Sequence, residues 1–106
     1  MATSTQSEHQ VRNVAVGRYL DTGTVAATKI TTGFMPRYVC VENVTSGDKM
    51  EWFEGMTAAY GIKTIAAGTR TLPTSDGITV AADGFTIGED SDVLVTSQQI
   101  SWIAIG

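Results

Sequence analysis

Residues 37–54 read RYVCVENV, TSGD, KMEWFE, and this stretch decides the fold class. In Arg37–Val44, Val39 and Val41 alternate with Tyr38, Cys40 and Glu42, the period-two pattern of a strand with unlike faces. In Lys49–Glu54, Met50 and Trp52 alternate with Glu51 and Phe53. Thr45-Ser46-Gly47-Asp48 between them is turn chemistry, with glycine available for a left-handed position. The three pieces together predict a β-hairpin.

The same texture extends outward in both directions. A weak first strand is expected over Val11–Val16, running on through Tyr19. Thr24–Thr31 follows the Asp21-Thr22-Gly23 break. After Gly55 come short candidates at Ile62–Ala66 and Thr69–Leu72, the second stopped by Pro73. Ile78–Val80 and Phe85–Ile87 are each introduced by an Asp-Gly pair, expected to supply the positive φ of a tight turn. Val93–Thr96 and Ile100–Ile105 close the chain. In the last segment Ile100, Trp102 and Ala104 share one face, and Ser101, Ile103 and Ile105 the other. A strand apolar on both faces belongs in the middle of a sheet or under a partner. No stretch carries a helical period. These features predict an all-β fold, a compact β-sandwich or barrel-like domain of about eight short strands over residues 11–106. Met1–Gln10 has no large apolar side chain after the first Met and is expected to be a flexible arm.

Composition narrows the function classes. The chain has 106 residues, 42% hydrophobic and 17% charged, with mean hydropathy +0.05, values of a folded domain. No apolar run approaches the roughly 20 residues of a membrane span, so no membrane partner is expected. The net charge of −4 argues against nucleic acid. All seven Lys and Arg lie at or before Arg70, whereas Asp76, Asp83, Glu89, Asp90 and Asp92 follow it with no base. That asymmetry could steer copies towards one another or simply keep turns solvated. The N-terminus has no basic segment leading into an apolar one, so no secretory signal is expected, and the Asn43-Val44-Thr45 sequon carries no glycosylation meaning.

Chemical readings fare poorly. His9 is the single histidine and falls in the expected arm, where nothing would hold a catalytic geometry. Cys40, between two valines, reads as a core thiol and not as a nucleophile. Glu51 and Glu54 could be posed as a glycosidase pair, but so small a domain leaves little room for a cleft. Glu89, Asp90 and Asp92 could offer oxygens to Ca²⁺ but lack EF-hand spacing, so a solvated loop is the plainer reading. Trp52 and Trp102 read as core, with sugar stacking by Trp52, Phe53 and Tyr60 as the sharper alternative. Neither an enzyme nor a cofactor is expected.

From Gly33 onward the order of features is distinctive. It begins Gly33-Phe34-Met35-Pro36-Arg37-Tyr38-Val39 and passes through Asn43, Trp52, Gly55-Met56 and Asp76-Gly77-Ile78. It ends with Gly84-Phe85-Thr86-Ile87-Gly88-Glu89-Asp90 and Ile100-Ser101-Trp102-Ile103-Ala104. This order resembles small virion proteins of tailed bacteriophages and β-sandwich domains of phage heads and fibres. The resemblance implies a structural protein of the virion, assembled in the host cytoplasm. It would be a decoration or cement protein that binds the major capsid protein and itself, as a dimer or trimer. The alternative is a tail-fibre, receptor- or carbohydrate-binding module. Interface residues are expected at Gln10 at the end of the arm, at Val11, Arg12 and Val14 on the first strand, and at Ile103 and Ile105 on the last.

Overall fold

The protein is described by a computed structural model covering residues 13–22 and 25–106. Its strands are β1 (Val14–Leu20), β2 (Thr28–Thr31), β3 (Tyr38–Asn43), β4 (Lys49–Phe53), β5 (Ile62–Thr64), β6 (Arg70–Thr71), β7 (Ile78–Ala81), β8 (Gly84–Ile87) and β9 (Gln99–Ile105). They form a six-stranded sheet in the order β1-β9-β3-β4-β5-β6 and a three-stranded sheet in the order β2-β8-β7. All strand pairs are antiparallel. The fold is the expected all-β, sandwich-like domain.

The 37–54 hairpin forms as β3 and β4. Gly47 takes φ 90°, and its N–H closes the turn on the Asn43 carbonyl at 2.7 Å. Val39, Val41, Met50 and Trp52 point inward and are buried, as are Ile100 and Ala104 from β9. Ile78, Phe85 and Ile87 of the smaller sheet face them. Each of the buried Val, Ile, Met and Phe side chains contributes roughly 1.5–3 kcal/mol through burial. The two sheets meet where Phe85 packs edge-on against Trp102, ring centroids 5.5 Å apart. Gly17, directly opposite Trp102 in the β1–β9 ladder, lets that indole lie against the strand, since a Cβ there would collide with the ring. β9 is central, between β1 and β3, as its two apolar faces suggested.

Several expectations are corrected. Val93–Thr96 is not a strand. The Asp90 carboxylate accepts the Asp92 and Val93 N–H groups at 2.9 and 3.2 Å, and the Asp90 carbonyl accepts the Leu94 N–H at 2.9 Å. The apolar pair Val93-Leu94 therefore enters the core on a turn. Thr24 lies outside the described residues, and of Val25–Thr31 only Thr28–Thr31 is strand, because its partner β8 is itself four residues long and pairs with those positions alone. At Asp76-Gly77 it is Asp76 that takes positive φ, 58°. Gly77 and Gly84 are needed instead for close approach of backbone, at Tyr60 and Ile30 respectively. Cys40 is not a core thiol: it is half-buried on the face opposite Val39 and Val41. The expected arm Met1–Gln10, together with Val11 and Arg12, lies outside the described residues.

Candidate assembly surface

The smaller sheet covers one face of the larger, which leaves the other face to be read through strand register. Val14 stands opposite Ile105, Ile105 opposite Tyr38, and Tyr38 opposite Phe53. In the next outward-facing row, Val16 stands opposite Ile103, Ile103 opposite Cys40, Cys40 opposite Glu51, and Glu51 opposite Ile62. Residues directly opposite in a ladder project to the same face, so these make two adjoining rows, mostly apolar. Val14, Val16 and Phe53 are 56%, 71% and 47% exposed. A third row, Arg18, Ser101, Glu42, Lys49, Thr64 and Arg70, is polar and borders the apolar area.

Side-chain contacts tie the rows together. The Tyr38 and Phe53 rings sit 4.9 Å apart between centroids. The Tyr38 hydroxyl donates to Glu51 Oε2 at 2.7 Å. Burial, followed by that hydrogen bond, pushes the Tyr38 phenol well above its ordinary range. Burial likewise raises the Cys40 thiol, with the Glu51 and Glu42 charges adding to it and Tyr38 and Lys49 opposing. Arg37 and Glu54 pair at 3.4 Å beyond Phe53, and Lys49 reaches Glu51 at 3.9 Å. Cys40, Glu42, Val44, Ser101, Trp102 and Ile103 line a shallow depression of about 320 Å³ in this face.

No family model, curated protein or solved structure matches the chain. The site is therefore judged on its own geometry.

Of the residues expected at an interface, Val14, Ile103 and Ile105 come together on this one face, whereas Gln10, Val11 and Arg12 lie outside the described residues. Val16, Tyr38 and Phe53 complete the patch; none of them was expected at an interface between proteins, and Phe53 was read instead as a candidate for sugar stacking. Val16 shares the parity of Val14 on one strand, which was a usable signal; Tyr38 and Phe53 join only through the β3–β9 register.

The other readings lose ground on geometry. Trp52 is buried, and its indole N–H donates to the Thr57 carbonyl at 3.3 Å, so it is not a stacking platform. Asp90 and Asp92 both grip the Lys63 ammonium, Asp90 at 3.0 Å, and the other Asp90 oxygen holds loop amides. A lysine already sits where a cation would. Among the described residues no group of three or more His, Cys, Asp or Glu could hold a metal.

Proposed function

We propose that this chain is a virion structural protein, a decoration or cement subunit that attaches to the outside of a phage capsid shell through the outer face of its six-stranded sheet. The observation that carries this reading is the apolar double row around Val16 and Ile103, left uncovered beside a border of mixed charge. Such a composition, apolar centre with polar rim, is that of a protein–protein contact. A shallow sheet face suits a flat lattice of repeated subunits better than a small ligand. Many copies binding weakly would reinforce a shell by avidity. The order of motifs from Gly33 onward supports the phage assignment.

Purified particles from the producing culture, analysed by quantitative mass spectrometry, test the reading. A decoration subunit is expected in hundreds of copies, in fixed proportion to the major shell protein, as symmetry demands. Absence from particles overturns it. A few to tens of copies would favour the tail module, for which the exposed Phe53 and Tyr60 rings would be the contact residues.

A further inference from the structure

Four strands end a sheet, and three of them are closed to further pairing. β6 is two residues long and carries Arg70. β2 is four residues long and carries Lys29, paired with Asp83 at 3.0 Å. β7 has its first residue already bonded on the far side: the Ala59 N–H donates to the Ile78 carbonyl at 3.1 Å, and the Ile78 N–H to the Tyr60 carbonyl at 3.0 Å. β1 differs. It is seven residues long, contains neither Lys nor Pro, and among the described residues nothing pairs with its outer side. Short length, charge, proline or cover are the usual ways of closing an edge, and β1 uses none of them beyond the single Arg18.

The hydrogen-bond phase of β1 can be read from its ends. The Gly106 N–H donates to the Asn13 carbonyl at 2.8 Å, and the Asp21 N–H to the Gln98 carbonyl at 3.0 Å. In an antiparallel ladder bonded and non-bonded pairs alternate, so the odd-numbered residues from Asn13 to Asp21 turn their polar groups to β9. Val14, Val16, Arg18 and Leu20 turn theirs to the open edge.

We propose that β1 pairs with β1 of a second copy, antiparallel, with Gly17 on the two-fold axis. Only this centre aligns the whole of Val14–Leu20 with itself. Val16 then stands opposite Arg18 of the second copy, and Val14 opposite its Leu20. All of these are residues with free edge groups, so each pair exchanges both hydrogen bonds. The pair on the axis is a non-bonded one, where backbones approach to about 4.5 Å, and it is glycine. Centring on Arg18 would set two guanidinium groups opposite each other. Centring on Val16 would leave Leu20 without a partner within the strand. The outer faces of both copies end on the same side, so the apolar rows become continuous across the dimer, with the Arg18 stems lying along Val16. The inference deepens the self-association part of the proposed function and does not depend on a virion location.

Position 16 tests the register, because an introduced charge there faces Arg18 of the other copy twice. Val16 is 71% exposed, so its replacement leaves the core intact. Sedimentation velocity of the full chain over a concentration series should show a dimer. Val16→Glu should dimerise more tightly than Val16→Lys by at least about tenfold in Kd, from two attractive pairs against two repulsive ones. Adding Arg18→Glu to Val16→Lys should restore dimerisation. A dimer indifferent to the sign at position 16 would overturn the pairing. So would a wild-type monomer, with slow amide exchange at Val16 and Arg18 then showing that the chain's own residues cover the edge. A dimer that behaves as described while the chain is missing from particles would overturn the virion reading alone.

Discussion

Val16 of β1 stands directly opposite Ile103 of β9, and both side chains leave the sheet on the face that the smaller sheet does not cover. Val14 and Ile105 repeat the relation at the adjoining outward pair. The core needs none of these four side chains, since Ile100 and Ala104 fill the inner side of β9. Val14 and Val16 are exposed and Ile103 and Ile105 are half-buried, four apolar groups held in register on the face that the smaller sheet leaves open.

Replacing Ile105 with Asp should leave the domain folded, with a stability loss of at most about 1 kcal/mol, and should abolish attachment to particles. The same change at Ile100 buries an unpaired carboxylate and should cost more than about 4 kcal/mol. Urea melts of both variants check this. Unfolding of the Ile105 variant would put that residue in the intramolecular core.

Asn43 ties two loops to the hairpin. Its Nδ2 donates to the Val93 carbonyl at 3.0 Å and to Gln98 Oε1 at 2.7 Å, while its Oδ1 accepts the Thr45 and Ser46 N–H groups at 3.0 and 2.9 Å. Asn43→Ala strips partners from buried groups and should destabilise by about 3 kcal/mol. A loss below about 1 kcal/mol in denaturant titration would show that water takes over those bonds.

Alkaline pH should destabilise the fold through two groups. Burial would lower the Lys63 ammonium, but the hydrogen bonds to Asp92 and Asp90 outweigh it and hold it above its usual 10.5. Tyr38 is raised above its usual 10.0 by burial and by Glu51. For both, the native state retains its proton longer than the unfolded one. Their contributions are complete below about pH 10 and fade as pH rises through the native-state values. Urea midpoints should fall above about pH 10, and Tyr38→Phe together with Lys63→Met should flatten that fall. An unchanged alkaline limb in the double variant would contradict the assignment.

Cys40 reports on the outer face. With its thiol raised by burial, alkylation near neutral pH should be at least about tenfold slower than in the urea-unfolded chain. It should slow further when the protein is on particles. Equal rates for free and particle-bound protein would place the contact elsewhere.

Strand identity was largely legible, because Val39 and Val41, or Met50 and Trp52, alternate without interruption. Sheet order was not. That β1 lies beside β9 depends on contacts between the two ends of the chain, for which adjacent residues give no signal. Val93-Leu94 misled because its apolar character records burial, which a turn gripped by the Asp90 carboxylate achieves as well as a strand does. Asn43 reads locally as a strand end, and its role appears only when Val93 and Gln98 are brought to it. The candidate surface was half visible: Ile103 and Ile105 showed themselves by making β9 apolar on both sides. Tyr38 and Phe53 join them only through register.

Cryo-microscopy of intact particles tests most directly whether the outer sheet face is the attachment surface. The chain should appear on the outside of the shell with Val14, Val16, Ile103 and Ile105 packed against a neighbouring subunit. A map placing it on the shell with that face open to solvent, or placing it only on the tail, would contradict the proposal.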